Sequence, residues 1–195
     1  MFLILWILLV LYPNPVKLFV SIHRVFNFDV NAGAVEFMLD DFPADPVAVE
    51  KEILERLPYY YDWEVHSMPW YFPTVEEVVQ QDKGDCKARA LMLASVLEGK
   101  GIPYRVNVSP IHVWVDYEGK EENSVENAEV KFYQEDPATG KKWFQIPEID
   151  IKEVLDSFWQ GFWDAMPDGR KILLLSGLVA MITARVVLFR KNIVA

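Results

Sequence analysis

The stretch 80–120 constrains the fold more than any other part of the chain, because it links the single cysteine, Cys86, to a helix and a following strand. After Cys86, apolar residues recur at helical spacing and predict a helix that stops at Gly99 and at the segment 101–103. Residues 104–117 then alternate as they do in a strand. The predicted order is therefore a cysteine, a helix and a strand.

The position of Cys86 suggests a nucleophile. A thiol at a helix N-terminus faces unpaired N–H groups and the positive end of the helix dipole, which favour the thiolate. The N–H group of Cys86 could also bind an oxyanion. His112, one of three histidines, opens the predicted strand 112–116 and is the candidate base. The alternative is a small buried cysteine and a core histidine, but the order of Gly84-Asp85-Cys86, the helix and His112 favours catalysis.

These motifs resemble those of the transglutaminase-like superfamily of papain-related thiol enzymes, and most closely those of the bacterial transglutaminase-like cysteine peptidases. The matching residues are Gly84-Asp85-Cys86, Ala90-Leu91 with Leu93 and Leu97, Gly101-Ile102-Pro103 with Arg105, His112-Val113-Trp114-Val115-Asp116 and, upstream, Tyr61-Asp62, Trp70, Pro73-Thr74 and Glu76-Glu77. The resemblance covers roughly residues 59–146 and implies a Cys–His–acid triad. The interval of 26 residues from Cys86 to His112 is short for the family, which suggests trimmed loops.

The resemblance implies an acidic third member, and Asp136 is the first candidate. If 112–118 and 130–136 pair around the polar loop 119–127, the antiparallel register sets Asp136 beside His112. Asp136-Pro137-Ala138-Thr139 also resembles the Asp-Pro-Thr of the family, although it is equally an ordinary turn sequence. Asp116 would lie about 13 Å from His112 along the strand. Glu148 and Asp150 are weaker candidates, since a second hairpin would carry them away.

Other residues are candidates for supporting roles. Asp85 precedes the cysteine, and Gln80 and Gln81 lie just upstream, where papain-like enzymes use a glutamine in the oxyanion site; a polar helix end explains the two glutamines as well. Trp70, Tyr71 and Trp114 could line a substrate cleft, although such rings more often pack onto the core. Metal-ligand clusters, phosphate loops and nucleotide fingerprints are not visible, so we expect no metal and no cofactor.

Charge separates the middle of the chain from its ends. The span 29–168 holds all 29 acidic residues and 12 of the 19 basic residues, a net charge of −17. An acidic middle argues against nucleic-acid binding, whereas basic, apolar ends suit a membrane. Residues 1–26 are apolar apart from a break at 13–15 and a few polar positions, and predict a kinked membrane segment. A signal peptide is the alternative, but a basic start and a small-residue cleavage site are missing.

The other end of the chain repeats this apolar character. Residues 150–166 predict an amphipathic helix lying in the membrane interface, and 171–190 predict a transmembrane helix. Within 171–190, small residues form one face for packing against another helix, such as 1–12, or against a partner subunit: Gly177, Ala180 and Ala184. Basic residues beside the two segments lean the domain toward the cytoplasm.

The sequence therefore predicts an α+β fold. A papain-like, transglutaminase-type core, 27–149, packs the Cys86 helix on an antiparallel sheet and is tethered by terminal membrane helices. The first functional hypothesis is a membrane-anchored thiol enzyme that cleaves or transfers the acyl group of a protein or peptide amide. The second is a catalytically silent member of the same fold, serving as a binding or assembly subunit of a membrane complex.

Overall fold

A computed structural model describes the backbone of residues 2–194 and the side chains of residues 3–186. It is an α+β structure with a four-stranded antiparallel sheet in the order β2-β1-β3-β4. The elements are α1 (Phe2–Leu11), α2 (Pro15–Val25), α3 (Ala32–Val35), a 3-10 helix (Glu36–Asp41), α4 (Pro46–Arg56), α5 (Asp62–His66), α6 (Val75–Gln81), α7 (Cys86–Gly99), β1 (Tyr104–Val108), β2 (Val113–Tyr117), β3 (Tyr133–Asp136), β4 (Lys141–Phe144), α8 (Ile151–Phe158), a π-helical segment (Trp159–Asp164) and α9 (Asp168–Val194).

Helix α7 is the centre of the hydrophobic core. It begins at Cys86 and ends at Gly99, as the sequence predicts, and its middle is buried on all sides. It packs on β1 and β2 and is covered by α3, α4 and α6. Such a helix is held by apolar burial around its whole circumference rather than along one stripe. The prediction of a cysteine-bearing helix on an antiparallel sheet is confirmed.

The flanking helices begin where their capping residues predict. Asp45 caps α4 by accepting a hydrogen bond from the N–H of Ala48 at 3.1 Å. Thr74 and Glu77 form a reciprocal capping box at the start of α6. Each cap satisfies backbone donors that a helix start leaves unpaired, so these boundaries could be read from the sequence.

The sheet differs from the prediction in the segment 104–117, which forms a hairpin of two strands. Ser109 turns the chain, since its backbone N–H donates to the carbonyl of His112 at 2.8 Å and its hydroxyl accepts from the N–H of His112 at 3.0 Å. β1 therefore pairs with β2 along one edge and with β3 along the other. The predicted pairing of 112–118 with 130–136 is wrong, because β1 lies between them.

The apolar N-terminal segment is bent and partly bound to the domain. The break predicted at 13–15 is confirmed, since α1 and α2 meet at 72°. Ser21 accepts from the N–H of Phe72 at 3.0 Å, and Arg24 donates to the carbonyl of Phe72 at 2.8 Å. Residues 1–26 are thus not detached from the domain: one face of α2 belongs to it. Met1 lies outside the described residues.

The C-terminal helices lie mostly exposed. The helix predicted over 150–166 is α-helical only to Phe158 and continues as the π-helical segment. α9 packs against α1, and a Cβ atom on Gly177 would lie 2.1 Å from Nε1 of Trp6. The small-residue face therefore meets the first helix at Gly177, whereas Ala180 and Ala184 are exposed. The side chains of the predicted span beyond residue 186 lie outside the described residues.

Among the described residues, no single helix is long and apolar enough to cross a bilayer, whereas α1 and α2 together reach that length and composition across their bend.

Candidate active site

Cys86 is set at the start of α7 by the two residues before it. Gly84 forms a parallel bridge with Tyr59, and a Cβ atom on Gly84 would lie 2.3 Å from the Cβ of Ala88. Only glycine allows this close approach of the loop to the helix. Asp85 then caps α7 by accepting from the N–H of Lys87 at 3.0 Å. Cys86 follows as the first helical residue, and its thiol is free and half-buried.

His112 is held at the start of β2 by contacts on both sides of its ring. Its Nε2 lies 2.7 Å from Oε1 of Glu126. The ring of Trp114, two residues on, stacks at 6.0 Å and 13° from the imidazole. Side chains two apart share one face of a strand, which explains this stacking. The imidazole is thus fixed in direction by a carboxylate and in plane by an indole.

Glu126 belongs to a chain of charges that we call the site network: His112, Glu126, Lys120 and Glu50. Nζ of Lys120 lies 3.0 Å from Oε2 of Glu126 and 2.5 Å from Oε1 of Glu50. The hydroxyl of Tyr117 donates to the other oxygen of Glu50. Each carboxylate oxygen of Glu126 therefore has its own partner, and the loop that carries it is fixed against the sheet.

The site network perturbs the protonation of its members. Burial alone would lower the pKa of His112, but hydrogen bonds and negative charge from Cys86 and Glu126 outweigh it and raise that pKa to about 9. Burial likewise opposes ionisation of Glu126, yet its bonds to His112 and Lys120 lower its pKa to about 2. At neutral pH the arrangement favours an imidazolium next to the Cys86 sulfur.

Cys86, His112 and Glu126 open onto one cavity of about 80 Å³. Its wall combines these three residues with side chains of α4, of the loop that follows it, of α7 and of β2: Glu50, Ile53, Leu54, Tyr59, Arg89, Ala90, Leu93, Val113, Trp114 and Val115. The volume is that of a small group rather than of a whole ligand. It suits a side chain or an acyl group whose remainder extends outside.

Asp136 does not reach His112. It pairs with Lys141 across β3 and β4, and its carboxylate lies 3.9 Å from Nε of Arg105. The prediction that sets Asp136 beside His112 is wrong because it rests on the wrong strand pairing. Asp116 instead accepts from the indole N–H of Trp114 at 3.0 Å, and Glu148 is exposed.

The predicted supporting residues divide between the site and the core. Gln80 and Gln81 are exposed at the end of α6 and are not part of the cavity wall. Tyr71 is buried and its hydroxyl donates to Glu77 at 2.8 Å, while Trp70 packs against the core. Of the three predicted cleft rings, only Trp114 lines the cavity. Trp70 and Tyr71 therefore pack in or against the core, which is the more common place for such rings.

Glu126 is the residue that the sequence did not reveal. It lies in a loop that reads as polar and solvated, and its partner is 14 residues away. A local signal exists in the flanking asparagines. Asn123 accepts from the N–H of Glu126 at 2.9 Å, and Asn127 accepts from the N–H of Glu129 at 2.9 Å. Such side-chain turns fold the loop tightly, but they do not indicate where it lies.

A second group of charges lies on the other side of Cys86, and we call it the buried triad: Asp62, Lys87 and Asp85. Nζ of Lys87 lies 2.9 Å from Oδ2 of Asp62 and also contacts Asp85. Burial opposes the charge on Lys87, but the two carboxylates raise its pKa well above the usual range. Burial raises the pKa of Asp62, and the charge and hydrogen bond of Lys87 offset this effect only in part. The triad fastens the start of α7 to α5.

Comparison with protein-family models, with curated proteins and with solved structures gave no match. The site must therefore be interpreted from its own geometry.

Proposed function

We propose that this protein is a thiol enzyme that attacks an amide bond of a protein or peptide, with Cys86 as nucleophile, His112 as base and acid, and Glu126 as the group that orients His112. One observation carries the proposal: Cys86 and His112 share a cavity while Nε2 of His112 bonds Glu126 at 2.7 Å. A nucleophile, a base and an orienting carboxylate in this order are the elements of a catalytic triad. The fold is proposed to be of the papain-like, transglutaminase type.

The chemistry follows from the positions of these groups. The Cys86 thiolate adds to the substrate carbonyl, and the N–H group of Cys86 at the start of α7 stabilises the oxyanion. His112 then gives its proton to the leaving amine, and a thioester forms on Cys86. A water molecule loses a proton to His112 and attacks the thioester, which releases the acid and returns the thiolate. An amine in place of water would give acyl transfer; we favour hydrolysis because the sequence resembles the peptidase branch.

We further propose that the terminal helices attach the enzyme to a membrane. Support comes from the composition of α1, from the packing of α1 on α9 and from exposed apolar side chains on α8. On α8 these are Ile151, Leu155 and Phe158. An amphipathic helix with such a face suits the interface between lipid and water. From the basic residues beside the two segments alone, we propose that the domain lies on the cytoplasmic side.

The proposal is tested by the reactivity of Cys86, the only cysteine of the chain. The purified full chain is labelled with iodoacetamide across pH, alone and as His112→Ala. An activated thiolate predicts fast labelling at neutral pH, slowed at least about 10-fold in His112→Ala. His66→Ala is the matched control, since burial lowers the pKa of His66 to about 4 and its ring packs on Tyr71.

Slow labelling that is unchanged in His112→Ala would contradict the proposed enzymatic function. It would favour the second hypothesis, a catalytically silent binding subunit. With activity established on a peptide library, Cys86→Ser and His112→Ala should each abolish turnover and leave the circular dichroism spectrum unchanged.

A further inference from the structure

Arg89 is a charged residue of the cavity that the proposed chemistry does not use. It lies three residues after Cys86 on α7, so the two side chains share one face of the helix. Both line the same cavity of about 80 Å³. A group bound to the Cys86 sulfur therefore lies in a cavity that Arg89 also lines.

The guanidinium is held on one side only. Nε and Nη2 of Arg89 donate to the carbonyl of Leu57 at 3.0 and 2.9 Å, where they cap the end of α4. The ring of Tyr59, which also lines the cavity, lies 5.2 Å below the charge. Within the described residues, Nη1 has no hydrogen-bond partner and no carboxylate lies within 4.0 Å of the guanidinium. Nη2 also donates to the carbonyl of Leu54 at 3.5 Å, so Nη1 is the donor that the described residues leave free on a preorganised guanidinium.

The charges around Arg89 are already matched. Glu50 is paired with Lys120, and Glu126 is paired with both Lys120 and His112. Arg89 is thus, within the described part of the chain, the charged residue of the cavity wall that lacks an opposite partner. The span 29–168 around it carries a net charge of −17. An unpaired cation at the cavity attracts an anionic group locally, against the net negative charge of the domain.

We propose that Arg89 determines specificity by binding a carboxylate of the substrate next to the bond that Cys86 attacks. The substrates would then be peptides with a glutamate or aspartate side chain, or a C-terminal carboxylate, beside the scissile amide. The free Nη1 group would bind this carboxylate through a charge-assisted hydrogen bond. That the bound carboxylate belongs to a substrate rests on the proposed function, whereas the anion site itself does not.

The test compares two alkylating probes of Cys86 that differ in charge, iodoacetate and iodoacetamide. The ratio of their rate constants cancels changes in the thiol and reports attraction of the anion. Arg89→Gln should lower this ratio by about 3- to 10-fold, as expected for loss of one partly exposed ion pair. Arg89→Lys should retain most of it. Arg105→Gln is the matched control, because it removes an exposed arginine of β1 that does not line the cavity. It should leave the ratio unchanged.

An unchanged ratio in Arg89→Gln would overturn the proposal. A second measurement on wild-type protein keeps the test decisive if that variant does not fold. N-acetylglutamine and N-acetylglutamate α-amide, which carry only an α-carboxylate or only a side-chain carboxylate, are tested for protection of Cys86 against iodoacetamide. Protection by one of them supports the site and identifies the carboxylate, whereas protection by neither overturns it. Failure of the enzyme itself is seen separately, as labelling that His112→Ala does not change.

Discussion

The two groups of charges near Cys86, the buried triad and the site network, differ in how far their side chains are buried. In the buried triad, the side chains of Asp62, Lys87 and Asp85 are between 6 and 9% exposed. In the site network, His112 is 25% exposed and Glu126 16%. Both groups combine carboxylates with a cation at hydrogen-bond distance. Each contains a nearly buried lysine, but the site network adds an imidazole that water reaches.

This difference separates structure from chemistry. The pKa of Lys87 is raised well above the usual range, so this lysine stays charged at neutral and moderately alkaline pH. His112, with a pKa of about 9, can give and take a proton near neutrality. The triad therefore holds the start of α7 beside the cysteine, whereas in the proposed mechanism the site network supplies the proton. Variants in the two groups should have effects of different kinds.

The largest effect is expected from Lys87→Met. It leaves two buried carboxylates without a cation, and removing one partner of a buried ion pair costs about 3–5 kcal/mol of unfolding free energy. Urea unfolding followed by circular dichroism measures this loss. Lys51→Met is the matched control, since its Nζ lies 4.0 Å from Glu55 and the lysine side chain is 78% exposed; we expect a change below about 0.5 kcal/mol. Equal losses in the two variants would mean that the triad does not hold α7.

A smaller effect, and one on reactivity rather than folding, is expected from Glu126→Gln. The amide keeps the shape of the side chain but no longer stabilises the imidazolium, so labelling of Cys86 by iodoacetamide should slow by about 10- to 100-fold. The urea midpoint should change much less than in Lys87→Met. Asp136→Asn is the matched control and should label at the wild-type rate, because its carboxylate lies near Arg105. A slow Asp136→Asn and a normal Glu126→Gln would reverse the assignment of the orienting residue.

What the sequence revealed of the site depends on how local each signal is. The start of α7 could be predicted because Gly84, Asp85 and Cys86 carry the turn, the cap and the proposed nucleophile in successive positions. The carboxylate beside His112 could not be predicted, because its place depends on a strand pairing set elsewhere. A turn at Ser109 split the predicted strand, and β1 then filled the edge that the sequence had assigned to 130–136. One unrecognised turn moved the third residue from Asp136 to Glu126.

The same reasoning applies to the ends of the chain. Hydropathy correctly indicated helices and a break at 13–15. It could not reveal that α2 has one face bound to the domain, because Arg24 and Ser21 read as isolated polar residues in an apolar run. Gly177 did predict a close helix contact, since only a residue without a Cβ atom leaves room for Trp6. Composition predicts apolar surfaces well and their partners poorly.

The smallest effect is expected in the pH dependence of the free energy of unfolding. The site network should contribute to this dependence, and the buried cation Lys87 should not. The pKa of His112 rises from 6.5 to about 9 on folding, so its contribution is fully present below pH 6.5 and is lost as pH rises through 9. The pKa of Glu126 falls from 4.5 to about 2, so its contribution is present above pH 4.5 and is lost as pH falls through 2.

Both contributions therefore coexist between pH 4.5 and 6.5. The free energy of unfolding of wild type minus that of His112→Gln should be largest in this window and shrink by about 1–2 kcal/mol toward pH 10, the partial exposure of the ring being allowed for. Urea unfolding at fixed pH values measures it, and His66→Gln supplies the control. If the difference grew with pH instead, the imidazole would be held neutral in the folded state. A neutral imidazole would have no proton to give to a leaving amine.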